Sequence, residues 1–206
     1  MSDSAPKVAI VDDHEMIRIG FNGLTAYGID IGAQAASVDD LLLREKDPDN
    51  RSSIVVLDVF LNDDSWVADN VRRLRAAGYR VVILTYGALP DALRDALAAG
   101  ASALVAKSDQ LAPLADAVHA VHNGAPLYIS VLMAGVVYAC DLDLTSLQRE
   151  TLRHAVGGLT AKEIATLMKV PDDEVVACFE SIASAYRTAY PETTDPARAR
   201  STGGAQ

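Results

Sequence analysis

The first 123 residues alternate between short apolar runs and longer amphipathic stretches, and this rhythm narrows the possible folds more than any other feature. The apolar runs are Val8–Val11, Ile54–Leu57, Val81–Thr85 and Ala103–Val105, with a weaker one over Ile29–Ala35. Each is nearly continuous rather than alternating, as in strands covered on both faces. Between them lie Glu15–Thr25, Val38–Glu45, Trp66–Ala77, Pro90–Ala99 and Leu111–Asn123, each of helical length. Gly78 and Gly100 stand where two of these end, at positions that favour a left-handed cap. Strands alternating with helices predict an α/β fold, a doubly wound five-stranded parallel sheet with helices on both faces. In such sheets functional groups gather at the carboxyl ends of the strands.

The remainder follows another pattern. Residues 124–143 open with Gly124-Ala125-Pro126, turn apolar and end at the acidic Asp141–Asp143, which suggests a connector. From Leu144 the pattern is helical: Ser146–Val156, Ala161–Met168 and Asp173–Tyr186, broken by Gly157-Gly158 and Val170-Pro171. The expected organisation is an α/β domain over 1–123, a linker over 124–143, a small all-α domain over 144–190 and a disordered tail over 191–206. The longest apolar run, Ala125–Cys140, is interrupted by Pro126 and Ser130 and falls short of a membrane span of about 20 residues. Met1–Lys7 lacks the basic and apolar regions of a signal peptide, so a cytoplasmic protein is expected. Cys140 and Cys178 sit among apolar residues and are expected to be buried thiols in a reducing compartment.

Charge limits the partners. The chain has 18 Lys and Arg against 28 Asp and Glu, a net charge of −10. Such a chain has no overall attraction for nucleic acid, so any DNA contact must come from a local patch.

Three carboxylates fall at strand ends. Asp12 and Asp13 directly follow Val8–Val11, and Asp58 directly follows Ile54–Leu57. Adjacent parallel strands would bring them within a few ångströms. Clustered carboxylates repel, and a hard divalent cation with oxygen ligands, Mg²⁺, resolves the repulsion. The next strand ends at the hydroxyl of Thr85, and the last is followed by Lys107, which can deliver a positive charge.

Asp12-Asp13, Asp58, Thr85 and Lys107, in this order and at these strand ends, resemble the flavodoxin-like receiver domain of two-component response regulators over about residues 6–123. The resemblance implies that Asp58 accepts a phosphoryl group from a histidine kinase. It implies Mg²⁺ on Asp13 and Asp58 with Asp12 in support, Lys107 on the phosphoryl oxygens, and Thr85 moving to hydrogen-bond them. Phosphoryl transfer is mostly positioning and charge neutralisation, which a cation and a lysine supply. The chain departs from the family in three places. Leu61-Asn62-Asp63-Asp64-Ser65-Trp66 replaces a loop that usually carries Pro and Gly. Tyr86 follows Thr85 where a small residue is usual. Leu104 occupies the aromatic switch position. The expectation is intact phosphorylation chemistry with altered signal transmission.

Residues 144–186 resemble the helix-turn-helix output domain of NarL/LuxR (FixJ)-type regulators. The residues that carry the resemblance are Leu144-Thr145, Gln148-Arg149-Glu150, Leu152, Gly158-Leu159-Thr160-Ala161-Lys162-Glu163-Ile164-Ala165, Leu167 and Val170. Thr160 with Glu163 reads as a capping box. Ile164, Ala165 and Leu167 are expected in the core, as are Val175, Phe179 and Ile182. The recognition helix is unusual. Residues 173–186 contain no Lys or Arg, and Asp173, Glu174 and Glu180 are acidic. Val176 and Cys178 stand where the family places Lys and His or Tyr. Lys162, Lys169 and Arg187 remain as weak DNA contacts.

These residues together predict a response regulator, phosphorylated on Asp58, that controls transcription through helix-turn-helix DNA binding as a homodimer. The alternative is a phosphorylation-gated protein-interaction module whose exposed Val176, Ala177 and Cys178 meet a protein partner. No enzymatic activity is expected, because His14, His119, His122 and His154 form no triad-like pattern with a motif serine. His14 reads as a solvated residue at a helix start.

Overall fold

The structure is a computed structural model. It describes residues 5–47, 50–86, 90–107, 111–125, 127–130, 144–156, 159 and 161–189. Cys140, Gly157-Gly158, Thr160 and the 191–206 tail lie outside the described residues, as does most of the 124–143 connector.

The sheet comprises β1 (Lys7–Val11), β2 (Asp30–Ala35), β3 (Ile54–Asp58), β4 (Arg80–Thr85), β5 (Ala103–Ala106) and β6 (Tyr128–Ile129), all parallel in the order β2-β1-β3-β4-β5-β6. The five expected strands are present. The sixth is a correction: it lies in the stretch expected to be only a connector, and it pairs Tyr128 with Ala103 and Ile129 with Leu104. Two residues are too few for a periodicity signal, so β6 had none.

The continuous apolar runs have the expected cause. Successive strand residues point to opposite faces. Ala9 and Val11 of β1 belong to one core, with Val38 and Leu41 of helix α2 (Val38–Arg44), Val71 and Leu74 of α3 (Val67–Ala76) and Leu93 and Ala96 of α4 (Pro90–Ala98). Val8 and Ile10 belong to the other, with Leu114, Val118 and Val121 of α5 (Leu111–His122). Gly78 and Gly100 follow α3 and α4 with φ of +91° and +99°, the left-handed caps their positions suggested.

The helix expected over Glu15–Thr25 is shorter. Helix α1 covers Glu15–Gly20 and passes into a 3₁₀ segment, Phe21–Tyr27. Gly20 and Gly23 weaken α-helix propensity there. A side chain at Gly23 would meet Leu111 of α5 at 2.7 Å, so the tighter segment presses closely on α5.

Three helices follow: α6 (Ser146–Val156), α7 (Ala161–Met168) and α8 (Asp172–Ala189). Thr145 and Gln148 form a reciprocal cap at the start of α6: Gln148 N donates to Thr145 Oγ1 at 3.2 Å and Thr145 N donates to Gln148 Oε1 at 2.8 Å. Gln148 Nε2 also donates to Ser181 Oγ of α8 at 2.7 Å. Leu152, Ile164, Ala165, Val175 and Ile182 are buried, and Phe179 is partly so. Leu167 is a correction. It is 57% exposed, and Met168 packs inward instead. At 100° per residue Met168 lies between Ile164 and Ala165 on the helical wheel, whereas Leu167 points well off that face. Helix α8 packs on α4, and the helical residues share one apolar cluster with α4 and the sheet.

Candidate functional site

The strand register builds an acidic crevice. Val11 pairs with Leu57, so Asp12 emerges beside Asp58 at the point where the strand order reverses, between β1 and β3. Thr85 pairs with Ala106, and Lys107 N donates to Thr85 O at 2.6 Å. The expected residues Asp12, Asp13, Asp58, Thr85 and Lys107 are therefore all brought to one edge of the sheet.

Lys107 joins two of the carboxylates. Its Nζ lies 2.7 Å from Asp12 Oδ2 and 2.5 Å from Asp58 Oδ2, and all three side chains are almost fully buried. Lys107 lines a cavity of about 380 Å³ with Ile17, Phe21 and Leu111, while the centroid of the exposed Tyr86 ring lies 5.2 Å from its ammonium. Burial pushes the Asp58 carboxyl above the ordinary carboxylate value; Lys107 pulls it back, and Asp12 adds to the rise. Burial pulls the Lys107 ammonium down, but its bonds to Asp12 and Asp58 outweigh this and hold it above the usual lysine value.

Oxygen ligands of Asp12, Asp13 and Asp58, with a ring nitrogen of His14, all lie within 4.8 Å of one another. Asp13 Oδ2 accepts from Asn62 Nδ2 at 2.6 Å. Asp13 Oδ1 is buried without a hydrogen-bond partner; His14 Nδ1 stands 2.9 Å away but off hydrogen-bond alignment. A buried carboxylate oxygen that lacks a donor, beside two further carboxylates, suits a hard divalent cation. Asp12-Asp13 do not cap α1. The cap position belongs to His14, whose backbone N–H donates to Asp12 Oδ1 at 2.9 Å.

His14 is exposed at the helix start as expected, yet it also belongs to the cluster, which its spacing beside Asp13 could have suggested. Asn62 and Trp66 were missed as partners of distant residues. Trp66 packs against the core as a partly buried ring, and its Nε1 donates to Asp95 Oδ2 at 3.2 Å.

On the helical side, Lys162 and Lys169 are exposed. Arg187 belongs to α8, but its side chain lies outside the described residues. Val176 is 46% exposed, whereas Cys178 is 8% exposed. Cys178 is thus the buried thiol expected, not the exposed contact of the protein-interaction alternative. It lies three residues after Val175 and four before Ile182, on the face that packs inward.

No family model matches the chain. The DNA-binding transcriptional activator DevR/DosR of Mycobacterium tuberculosis is 34% identical over 182 residues, which cover 82% of either chain. The chain belongs to the NarL/LuxR-type response regulators. The transcriptional regulatory protein DesR of Bacillus subtilis is 26% identical to this response regulator over 133 residues, 65% of this chain and 64% of that one. RcsB of Salmonella typhimurium, a response regulator studied for its DNA interaction, superposes with a TM-score of 0.58 at 15% identity, over 98% of this chain and 100% of that one. RcsB in complex with DNA gives a TM-score of 0.61 at 15% identity, over 97% and 99%. These two likenesses concern the fold: in this response regulator a parallel α/β unit with an acidic crevice is followed by a helix-turn-helix unit. Among the described residues no helix is long and apolar enough to cross a membrane.

Proposed function

We propose that this response regulator takes a phosphoryl group from a histidine kinase onto Asp58 and controls transcription by binding DNA through residues 144–190, as a homodimer in the cytoplasm. Residues 1–123 form the receiver in this reading and 124–143 the linker. The observation that carries it is the Lys107 ammonium between the buried carboxylates of Asp12 and Asp58, with Asp13 completing a cluster of ligand atoms within 4.8 Å of one another.

In the transfer, a carboxylate oxygen of Asp58 bonds to phosphorus as the phosphorus–nitrogen bond to the kinase imidazole breaks, and the imidazole leaves with the nitrogen electron pair. Asp12, Asp13 and Asp58 would hold Mg²⁺, which supplies charge neutralisation to the phosphoryl oxygens. Lys107 holds the acceptor carboxylate in place and supplies the second positive charge. Thr85 stands at the neighbouring strand end, where its hydroxyl can donate to a phosphoryl oxygen.

The protein-interaction alternative is not favoured. A relative that is 34% identical over 82% of this chain is named a DNA-binding activator, and one of the three residues meant to form the contact is buried.

Acetyl phosphate with Mg²⁺ should add one phosphoryl group to the wild-type protein, measured by intact mass. Asp58→Asn should abolish the adduct, and chelation of Mg²⁺ should suppress it. Equal labelling of Asp58→Asn would remove Asp58 from the role.

A further inference from the structure

A short, continuous set of contacts runs from the acidic crevice to α8. It starts at Asp13, which accepts from Asn62 Nδ2, and at Asp58, whose Oδ1 faces Phe60 N at 3.5 Å. The chain between Asn62 and Trp66 is braced. Asp63 Oδ1 accepts from Ser65 N at 3.0 Å and from Ser65 Oγ at 2.5 Å. Asn70 Nδ2 donates to Ser65 Oγ at 2.6 Å, and Asp64 takes a φ of +59°. The braced turn delivers Trp66, whose indole N–H donates to the buried carboxylate of Asp95 on α4. A hydrogen bond to a carboxylate shielded from water is among the stronger neutral-donor contacts. Helix α4 in turn packs on α8, and Trp66, Leu93, Ala96, Val175 and Ile182 share one apolar cluster.

We propose that the Trp66–Asp95 hydrogen bond couples the chemical state of the crevice to helix α8. The proposal rests on the reading of Asp58 as the phosphoacceptor. A phosphoryl group on Asp58 competes for Phe60 N, and a cation on Asp13 Oδ1 draws on the same carboxylate that holds Asn62 through Oδ2. The side-chain bonds of the turn exchange partners in response, and the rearrangement reaches the indole. The indole then keeps Asp95 or releases it. Those are two discrete arrangements, which a transmitting element requires. Asp95 moves with α4, and α8 is seated on α4. The same strand β5 that delivers Lys107 carries Leu104 fully buried, a side chain with no polar atom to exchange partners.

The test uses the full chain with acetyl phosphate and Mg²⁺. Adduct formation is read by intact mass, the α8 response by amide hydrogen exchange, and the turn by emission of Trp66, the chain's single tryptophan. Trp66→Phe keeps an aromatic body without the N–H. Asp95→Ala removes the acceptor and keeps a strong helix former. In the wild type, labelling should change α8 exchange by about 5-fold or more and alter Trp66 emission. Both variants should label as the wild type does, with the α8 change reduced to less than about 2-fold. Full transmission in both variants, or an α8 that ignores labelling in the wild type, overturns the proposal. If the wild type labels and neither variant does, the bond is scaffold for the crevice and the proposal falls. If only one variant labels, its α8 response decides. Absence of any wild-type adduct strikes the phosphoacceptor reading itself, a result distinct from labelling without coupling.

Discussion

Lys107→Ala should destabilise the protein sharply, and Mg²⁺ should restore much of the loss. The ligand oxygens of Asp12 and Asp58 lie within 4.8 Å of each other, and Lys107 is the cation that joins them. Without it, two buried negative charges at that separation repel by about 3 kcal/mol at an effective dielectric of about 20. Removing one partner of a buried ion pair costs about 3–5 kcal/mol, so the two estimates agree. For a chain of 206 residues a cost of about 3–5 kcal/mol corresponds to a fall of roughly 6–20 °C in Tm. A bound cation replaces the lost charge, and at about 100 times its Kd it adds about 2.7 kcal/mol. The gain should be larger in the variant than in the wild type, where the ammonium already occupies part of the carboxylate oxygens. Thermal unfolding of both proteins in chelator and in Mg²⁺ measures all four states. A variant as stable as the wild type in chelator would refute the reasoning, as would an equal Mg²⁺ shift in both proteins.

Two further outcomes follow from other parts of the molecule. The Tyr79 hydroxyl donates to Glu45 Oε2 at 3.1 Å, and burial together with the Glu45 charge pushes its pKa up to about 12 from 10.0. A raised acid in the folded state means stability that is fully present below about pH 10 and lost as pH rises toward about 12. Tyr79→Phe should cost about 1 kcal/mol at neutral pH and flatten that alkaline decline; urea midpoints across the window check both. Val176, nearly half exposed at the position where the family carries Lys, should tolerate Val176→Lys. If α8 faces DNA, fluorescence anisotropy should show log affinity falling more steeply with log salt, by about 0.9 for one added phosphate contact. An unchanged slope would place Val176 away from the backbone.

The parts that were readable before the structure are those set by local chemistry and by topology. The strands could be placed because Val8–Val11 and Ile54–Leu57 are apolar on both faces, and parallel topology then carried Asp12 and Asp58 together without any knowledge of their contacts. The glycine caps were readable because a left-handed φ is written into residue type. Other features depended on residues distant in the chain. Strand β6 exists because β5 offers it an edge, not because Tyr128-Ile129 demands it. The bonds Asn62–Asp13 and Trp66–Asp95 link residues 49 and 29 positions apart, and no periodicity reports such pairs. Leu167 stands at the edge of a helical stripe, where a single apolar residue can turn either way.

The departures in the loop after Asp58 gain a physical meaning from these distant contacts. A proline in a loop holds part of its shape through a fixed φ, whereas Leu61–Trp66 keeps its shape through side chains: Asn62 to Asp13, Asp63 to Ser65, Asn70 to Ser65 and Trp66 to Asp95. Side-chain bonds exchange partners more readily than a proline ring changes its φ. Such a loop can therefore answer a new charge at the crevice by rearranging discrete bonds, one end on a candidate metal ligand and the other on α4. The acidity of the chain takes on a similar division. Its negative charge at Asp12, Asp13 and Asp58 creates the demand for a cation, and Lys107 meets part of it. The acids Asp172, Asp173 and Glu174 occupy the first turn of α8, where they favour the helix dipole but repel phosphate. The three carboxylates that start this helix thus oppose an approach of α8 to DNA, which makes any attraction for the phosphate backbone depend on basic residues elsewhere.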